Sequence, residues 1–348
     1  MIDPETHYAE VDLPFYERTV KPLIPPEILD FHAHTWVREQ FRMVAWKARA
    51  RGGRYMVTDE DYSVEALLAD GRKMFPEKAY KAVVFGNPTP AVDLGKTNDY
   101  IAGAGKNRNL FPLMIAGRGL EKKERVEQRI LEGRIYGFKV FLSWFGDDYG
   151  SVKVRDMVGP AEMTLAEEYR LVVLLHVPGG ERLADPEVQA GVRALAQGYP
   201  NAQIVLAHCG RCYHPDRMKR AVGSITDLDN VYLDSSMVMD PLVIQIALES
   251  IGSKRLLFGT DLPVAGMRGR RVYVMDHWVD LVLPGPAESA YRVQSADIRA
   301  TFMVYEIILA IVRAARQLGL SGSDLSAIFH DNGMGILEMA RNMEGPKE

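Results

Sequence analysis

The chain has 348 residues, 42 Lys and Arg against 46 Asp and Glu, a net charge of −4 and 47% hydrophobic residues. That much apolar material can build a core and excludes a mainly disordered chain. The near-balance of charge excludes the basic footprint of a nucleic-acid binder and a polybasic membrane patch.

In chain order, residues 1–27 form an N-terminal extension rich in proline and acidic residues. It has no apolar stretch of the kind a secretory leader needs, so the cytoplasm is the expected compartment. A first strand over 28–32 runs into His32-Ala33-His34, and the Arg- and Lys-rich segment 36–79 reads as an insertion over one mouth of the fold. Short apolar runs then predict strands at 80–85, 111–116, 136–142, 171–177, 203–208, 231–235 and 255–260. Most are continuously apolar, as strands covered on both faces must be. Amphipathic stretches between them predict helices over 120–131, 185–197, 216–225 and 240–251, the last opened by Asp240-Pro241 as a cap and first turn. Beyond Asp261, the stretch Gly266–Arg271 reads as a basic loop, either an anion-binding lid or a solvated one. An apolar helix over 297–318 begins a C-terminal helical segment, 297–348. Its most apolar part, 302–312, is too short to span a bilayer and contains Glu306; it packs on the fold or enters a homodimer contact.

From the second strand on, strand centres follow one another at intervals of 25 to 35 residues, the length of a strand–helix unit. The spacing predicts an α/β fold in one domain, a (β/α)8 TIM-type barrel, with an open doubly wound sheet as the competing architecture.

The histidines carry the chemistry. His32 and His34 follow the first strand, His176 the fifth and His208 the sixth, while Asp261 follows the eighth and Lys139 lies within the fourth. In a closed parallel barrel all these strand ends meet on one face, where active sites of this architecture are built. Alternate residues of a strand share a face, so His32 and His34 point the same way. Imidazoles and a carboxylate meeting at one point are the donor set of zinc or a similar divalent ion. Taken singly, each residue has an ordinary explanation as a core histidine or a turn aspartate; the combined order is what points to a site. Lys139 stands out, because a buried ammonium without a partner is costly. Arg211 offers a forked guanidinium suited to a carboxylate, and Trp144 an apolar wall beside it, though both also read as ordinary rim residues. Cys209 and Cys212 are the two cysteines; with no second ligand pair they read as small loop residues rather than a zinc knuckle or a redox motif.

These motifs resemble those of the amidohydrolase superfamily. Asp30-Phe31-His32-Ala33-His34 resembles its first-strand motif, Ala207-His208-Cys209-Gly210 its sixth, and Phe258-Gly259-Thr260-Asp261-Leu262-Pro263 its eighth. Phe329-His330-Asp331-Asn332-Gly333 resembles the turn before the last helix of the amidohydrolase-2 branch. The likeness runs from Ile28 to about Leu337 and implies the barrel and a divalent metal, zinc first, with manganese or iron as alternatives. It implies one of two ligand sets. In one, His32, His34, His176 and Asp261 hold a single ion with His208 beside it as acid or base. In the other, a carboxylated Lys139 bridges two ions, the second held by His176 and His208. The expected reaction is hydrolysis of a small polar ester, lactone or amide by metal-activated water, with Asp261 as general acid/base. A non-oxidative decarboxylase of a small carboxylic acid is the alternative, and a catalytically silent scaffold the third reading.

Overall fold

Eight strands stand side by side in their sequence order: β1 Glu27–His34, β2 Ala79–Phe85, β3 Leu110–Ile115, β4 Gly137–Val140, β5 Val172–Leu175, β6 Gln203–Leu206, β7 Val231–Asp234 and β8 Leu256–Leu257. Every neighbouring pair is parallel. The computed structural model describes residues 3–42, 61–146, 148–274, 277–282 and 299–340. The sheet closes on itself: Phe31 N donates to Phe258 O at 2.8 Å, Asp261 N to His32 O at 2.8 Å, and His34 N to Leu262 O at 2.9 Å. These bonds make a (β/α)8 barrel and remove the open-sheet alternative.

Strands β3, β5 and β6 are buried along their whole length, as their unbroken apolar runs require. Gly137 lets β4 approach β5, since a Cβ there would stand 2.0 Å from Val172 O. The outer helices follow the cap logic of the sequence. Helix Pro241–Ile251 starts where Asp240 accepts from Leu242 N, and it buries Val243, Ile244, Ala247 and Ile251 against the barrel. Burying each such Val or Ile side chain stabilises the fold by roughly 1.5–3 kcal/mol.

Three segments differ from the sequence expectation. Of 36–79, residues 43–60 lie outside the described residues, and the remainder contains Val64–Met74, the barrel helix that follows β1, capped by Ser63. The Arg-rich stretch 266–271 is not a loop throughout: it leads into an antiparallel hairpin of β9 Gly269–Val274 and β10 His277–Val282. Its basic residues are neutralised across the structure, Arg268 by Asp12, Arg270 by Glu306 and Arg271 by Asp280. The apolar C-terminal helix is Met303–Gln317, and residues 4–23 lie across it as short helical turns, Tyr16 and Phe15 meeting the Tyr305 ring at 5.9 and 6.1 Å. That extension covers apolar surface which would otherwise face water. Among the described residues, no helix is long and apolar enough to cross a membrane.

Candidate metal centre

Strand β1 carries an irregularity between Asp30 and Ala33, where its register with β2 shifts by one residue. His32 and His34 nevertheless both turn inward, their ring centroids 5.5 Å apart. His32 Nε2 lies 3.3 Å and His34 Nε2 3.0 Å from the same oxygen, Oδ1 of Asp261. The two imidazoles and the carboxylate offer donor atoms within 4.8 Å of one another, and both histidines are almost wholly buried.

The other ring nitrogens fix the tautomers. His34 Nδ1 lies 3.1 Å from Gly86 O, which can only accept, and His32 Nδ1 lies 2.9 Å from the carboxylate of Asp234. With both Nδ1 protons committed, each Nε2 meets the carboxylate oxygen either as a lone pair or, in an imidazolium, as a second N–H. For His32, burial and Lys139 work against the charged form, but Asp234 and Asp261 prevail and raise its pKa. Such a trio repels itself unless a proton or a metal cation is shared among its members. An acceptor on the far nitrogen of each imidazole is also the usual support of a metal-binding histidine. The donor set therefore fits a divalent ion. Burial works to raise the Asp261 carboxyl, but His32 and His34 outweigh it and hold it well below the usual carboxylate range. Burial likewise pushes the His34 imidazolium down, keeping the ring neutral as a ligand must be. Asp261 Oδ2 makes no hydrogen bond among the described residues, and the side chain is 14% exposed, so this oxygen faces the mouth.

Lys139 points inward from β4, its Nζ 3.4 Å from His32 Nε2 and above the rings of Phe85 and Phe141 at 4.8 and 5.2 Å. Burial depresses it to about 8 against the pull of Asp234 and Asp261. His208 stands beside His32, ring centroids 4.7 Å apart. Its Nδ1 lies 3.1 Å from the carbonyl of Ser236, so Nε2 carries the lone pair, and burial pushes its pKa down to about 3. His176 meets His208 edge to face at 5.4 Å. Burial, then the charge of Arg211, holds it well below the ordinary imidazole value. It is outside the tight group formed by His32, His34 and Asp261. Arg211 donates to Val177 O at 2.8 Å and stacks over Tyr149 at 5.7 Å, with no carboxylate partner among the described residues. Trp144 sits in the short turn Leu142–Trp144 after β4, its indole Nε1 buried with no hydrogen-bond partner.

His208, Cys209, Gly210 and Arg211 all have positive φ, between 49° and 63°. Three of these four residues carry a Cβ that disfavours this region, so the turn is strained. It replaces the last residues of the predicted sixth strand and aims His208 and Arg211 at the mouth. Cys209 and Cys212 are both free and fully buried.

Sequence reasoning missed the residues that hold this geometry. Asp234, at the end of β7, binds His32 Nδ1, His208 N at 2.9 Å, Ser236 N at 3.0 Å and the Ser236 hydroxyl. Burial would raise it, but the positive charge and hydrogen bond of His32 hold it low. Asp30 accepts from His32 N, Thr260 N, Thr260 Oγ1 and Tyr80 OH, and burial lifts it to about 6. Arg182, in the turn Arg182–Ala184, also went unnoticed; its Nε is buried with no partner among the described residues. For Asp234 the available signal was a charged residue at the end of an otherwise apolar strand.

A parallel barrel with histidines and an aspartate converging at its C-terminal mouth defines a metal-site TIM barrel. A scan against protein-family models matches the amidohydrolase model over residues 29–332. The chain belongs to the amidohydrolase-2 family, whose members are metal-dependent enzymes. A search of curated proteins finds no match. Among solved structures, it is similar to a Burkholderia multivorans amidohydrolase with bound zinc, at 15% identity and TM-score 0.56, over 89% of this chain and 99% of the other. It is also similar to a candidate 2-pyrone-4,6-dicarboxylic acid hydrolase from Pseudomonas putida, at 18% identity and TM-score 0.54, over 91% and 99% of the two chains. A 4-oxalomesaconate hydratase from Rhodopseudomonas palustris aligns at 16% identity and TM-score 0.56, over 90% and 96%. At these identities the likeness is one of fold.

Proposed function

We propose that this protein is a metal-dependent hydrolase of a small ester, lactone or amide substrate that carries a carboxylate. The observation that carries the reading is the meeting of His32 Nε2 and His34 Nε2 on one oxygen of Asp261 inside the barrel mouth. His32, His34 and Asp261 would hold one divalent ion, zinc by the donor set, and such an ion supplies a Lewis acid and lowers the pKa of water in contact with it. The chain's own groups do the rest. Asp261 Oδ2 is free to take a proton from the attacking water and pass it to the leaving group. His208, neutral and with Nε2 unprotonated, accepts a hydrogen bond from the attacking water or the substrate beside it. Lys139 remains an ammonium above two rings, its charge directed at the electron-rich side of the substrate. Arg211, whose charge meets no carboxylate among the described residues, anchors one belonging to the substrate. The names of two compared structures, a candidate dicarboxylic acid hydrolase and an oxalomesaconate hydratase, suit a carboxylate-bearing substrate.

The test is a product screen of metal-loaded protein against lactones, esters and amides of small dicarboxylic acids, run for wild type and Asp261→Asn. Hydrolysis by wild type with a loss on the order of 10²–10⁴ in Asp261→Asn supports the reading. Near-normal turnover in the variant removes the proton-transfer role. Release of CO₂ without consumption of water replaces hydrolysis by decarboxylation.

A further inference from the structure

The hairpin β9–β10 lies outside the eight-stranded barrel and is built around Arg271. Arg271 and Asp280 are directly opposed in its register and joined by two bonds of 2.7 and 2.9 Å. The guanidinium lies 4.0 Å over the Trp278 ring and 5.1 Å over the Tyr213 ring. Tyr213 in turn meets His208 at 6.1 Å, so a single aromatic residue separates this stack from the metal centre. Beneath the hairpin is a cavity of about 190 Å³ lined by Tyr213, Met237, Met239, Arg271, Tyr273 and Trp278.

The two guanidinium groups around this cavity are already paired, Arg271 with Asp280 and Arg270 with Glu306 and Met239 O, while Asp240 caps a helix through Leu242 N and keeps its charge. What faces the space is three aromatic rings and two thioethers together with polar edges of Arg270, Arg271 and Asp240, a mixed surface that favours flat, polarisable groups carrying a polar substituent. A cavity of roughly 150 Å³ takes a benzene ring. The Tyr213 hydroxyl has no hydrogen-bond partner among the described residues, although its neighbours Arg271, Arg211 and Asp261 all act on it electrostatically.

We infer that this cavity is a second substrate subsite, which takes an aromatic or planar conjugated arm bearing a polar substituent, such as a phenol, while the reacting bond lies at the proposed metal centre. Tyr213 forms the wall between the two compartments, and Trp278 with the pinned Arg271 forms the stacking platform. The inference deepens the hydrolase reading by naming what the far end of the substrate is.

The probe is 4-fluorophenol, titrated into the metal-loaded full chain and followed by ¹⁹F NMR. Saturable binding is expected, with a loss of about fivefold in Trp278→Ala, restoration in Trp278→Phe, and little displacement by cyclohexanol. Trp278 is 38% exposed on the hairpin, so the substitution leaves the barrel core untouched. No saturable binding to wild type, equal binding to Trp278→Ala, or equal displacement by cyclohexanol overturns the inference. The measurement needs no turnover, so failure of the hydrolase reading, seen in the product screen, is distinguishable from failure here.

Discussion

The two halves of the barrel mouth are built on opposite rules. At the ends of β1, β7 and β8, the groups around the histidine pair have partners: His32 Nδ1 has Asp234, His34 Nδ1 has Gly86, and Asp30 accepts four bonds, although the buried Thr35 hydroxyl just after β1 has none among the described residues. Around β4, β5 and β6, groups are left wanting. Lys139 and Arg211 have no ion pair among the described residues, and Trp144 Nε1 and Arg182 Nε are buried and unpaired. Leaving such a group unmet costs about 1–3 kcal/mol. On the proposed function, the satisfied half is the one pre-organised to hold a fixed ion, and the unsatisfied half the one the substrate completes.

The comparison breaks most severely if the satisfied half proves dispensable. His32→Ala and His34→Ala are expected to reduce bound metal from one ion per chain to background and to abolish turnover, as read by elemental analysis beside the product assay. Two ions per wild-type chain, with a carboxylated Lys139, would replace the single-ion site. One step out, Asp234→Ala leaves the ligands in place but frees the His32 ring. Metal affinity is expected to fall by about 10–100-fold, measured by competition with a chelator. An unchanged affinity would mean that the Asp234 network serves the fold alone.

The unsatisfied half is sharpened by Arg211→Ala. If Arg211 meets the substrate equally in ground and transition states, KM rises by about 10–100-fold while kcat changes little. Loss of kcat with KM unchanged would move Arg211 from anchoring to chemistry.

A surface carboxylate sets the baseline for both. Asp324 is held down to about 2 by the hydroxyl and N–H of Ser321 and by Ser253. A carboxyl depressed in the folded state contributes stability that is fully present above its unfolded value and lost as pH falls through the folded one. The gap in Tm between wild type and Asp324→Asn is expected to be small, constant above about pH 4, and to close between about pH 4 and 2. A gap that persists at pH 2 would assign the effect to packing.

The barrel was legible because buried parallel strands leave continuous apolar runs at a steady spacing, and the meeting of His32, His34 and Asp261 because histidines at such strand ends are hard to explain otherwise. Asp234 and Asp30 were not, since an aspartate at a strand end, as at 234, also reads as a turn residue, and one inside a strand, as at 30, does not announce its partners. Their meaning depends on which strands become neighbours, and residue 234 meets residue 32 only through closure of the ring. The hairpin was hidden for a similar reason. Arg270 and Arg271 argue for solvent until the register sets Asp280 opposite Arg271, nine residues away. The left-handed turn at His208 replaces a predicted strand end because backbone strain leaves no mark in residue type.

The seam between the first strand and the last has a consequence for how the protein is made. Asp261 joins His32 and His34 across more than two hundred residues, and Thr260 is tied to Asp30 over the same span. Contacts so distant in sequence are expected to form late. While the polypeptide is still being synthesised, the two histidines wait without the Asp261 carboxylate, and at the proposed site an ion captured early would have only imidazole to hold it. On that reading, tight uptake of an ion would be a sign that the whole ring has been completed.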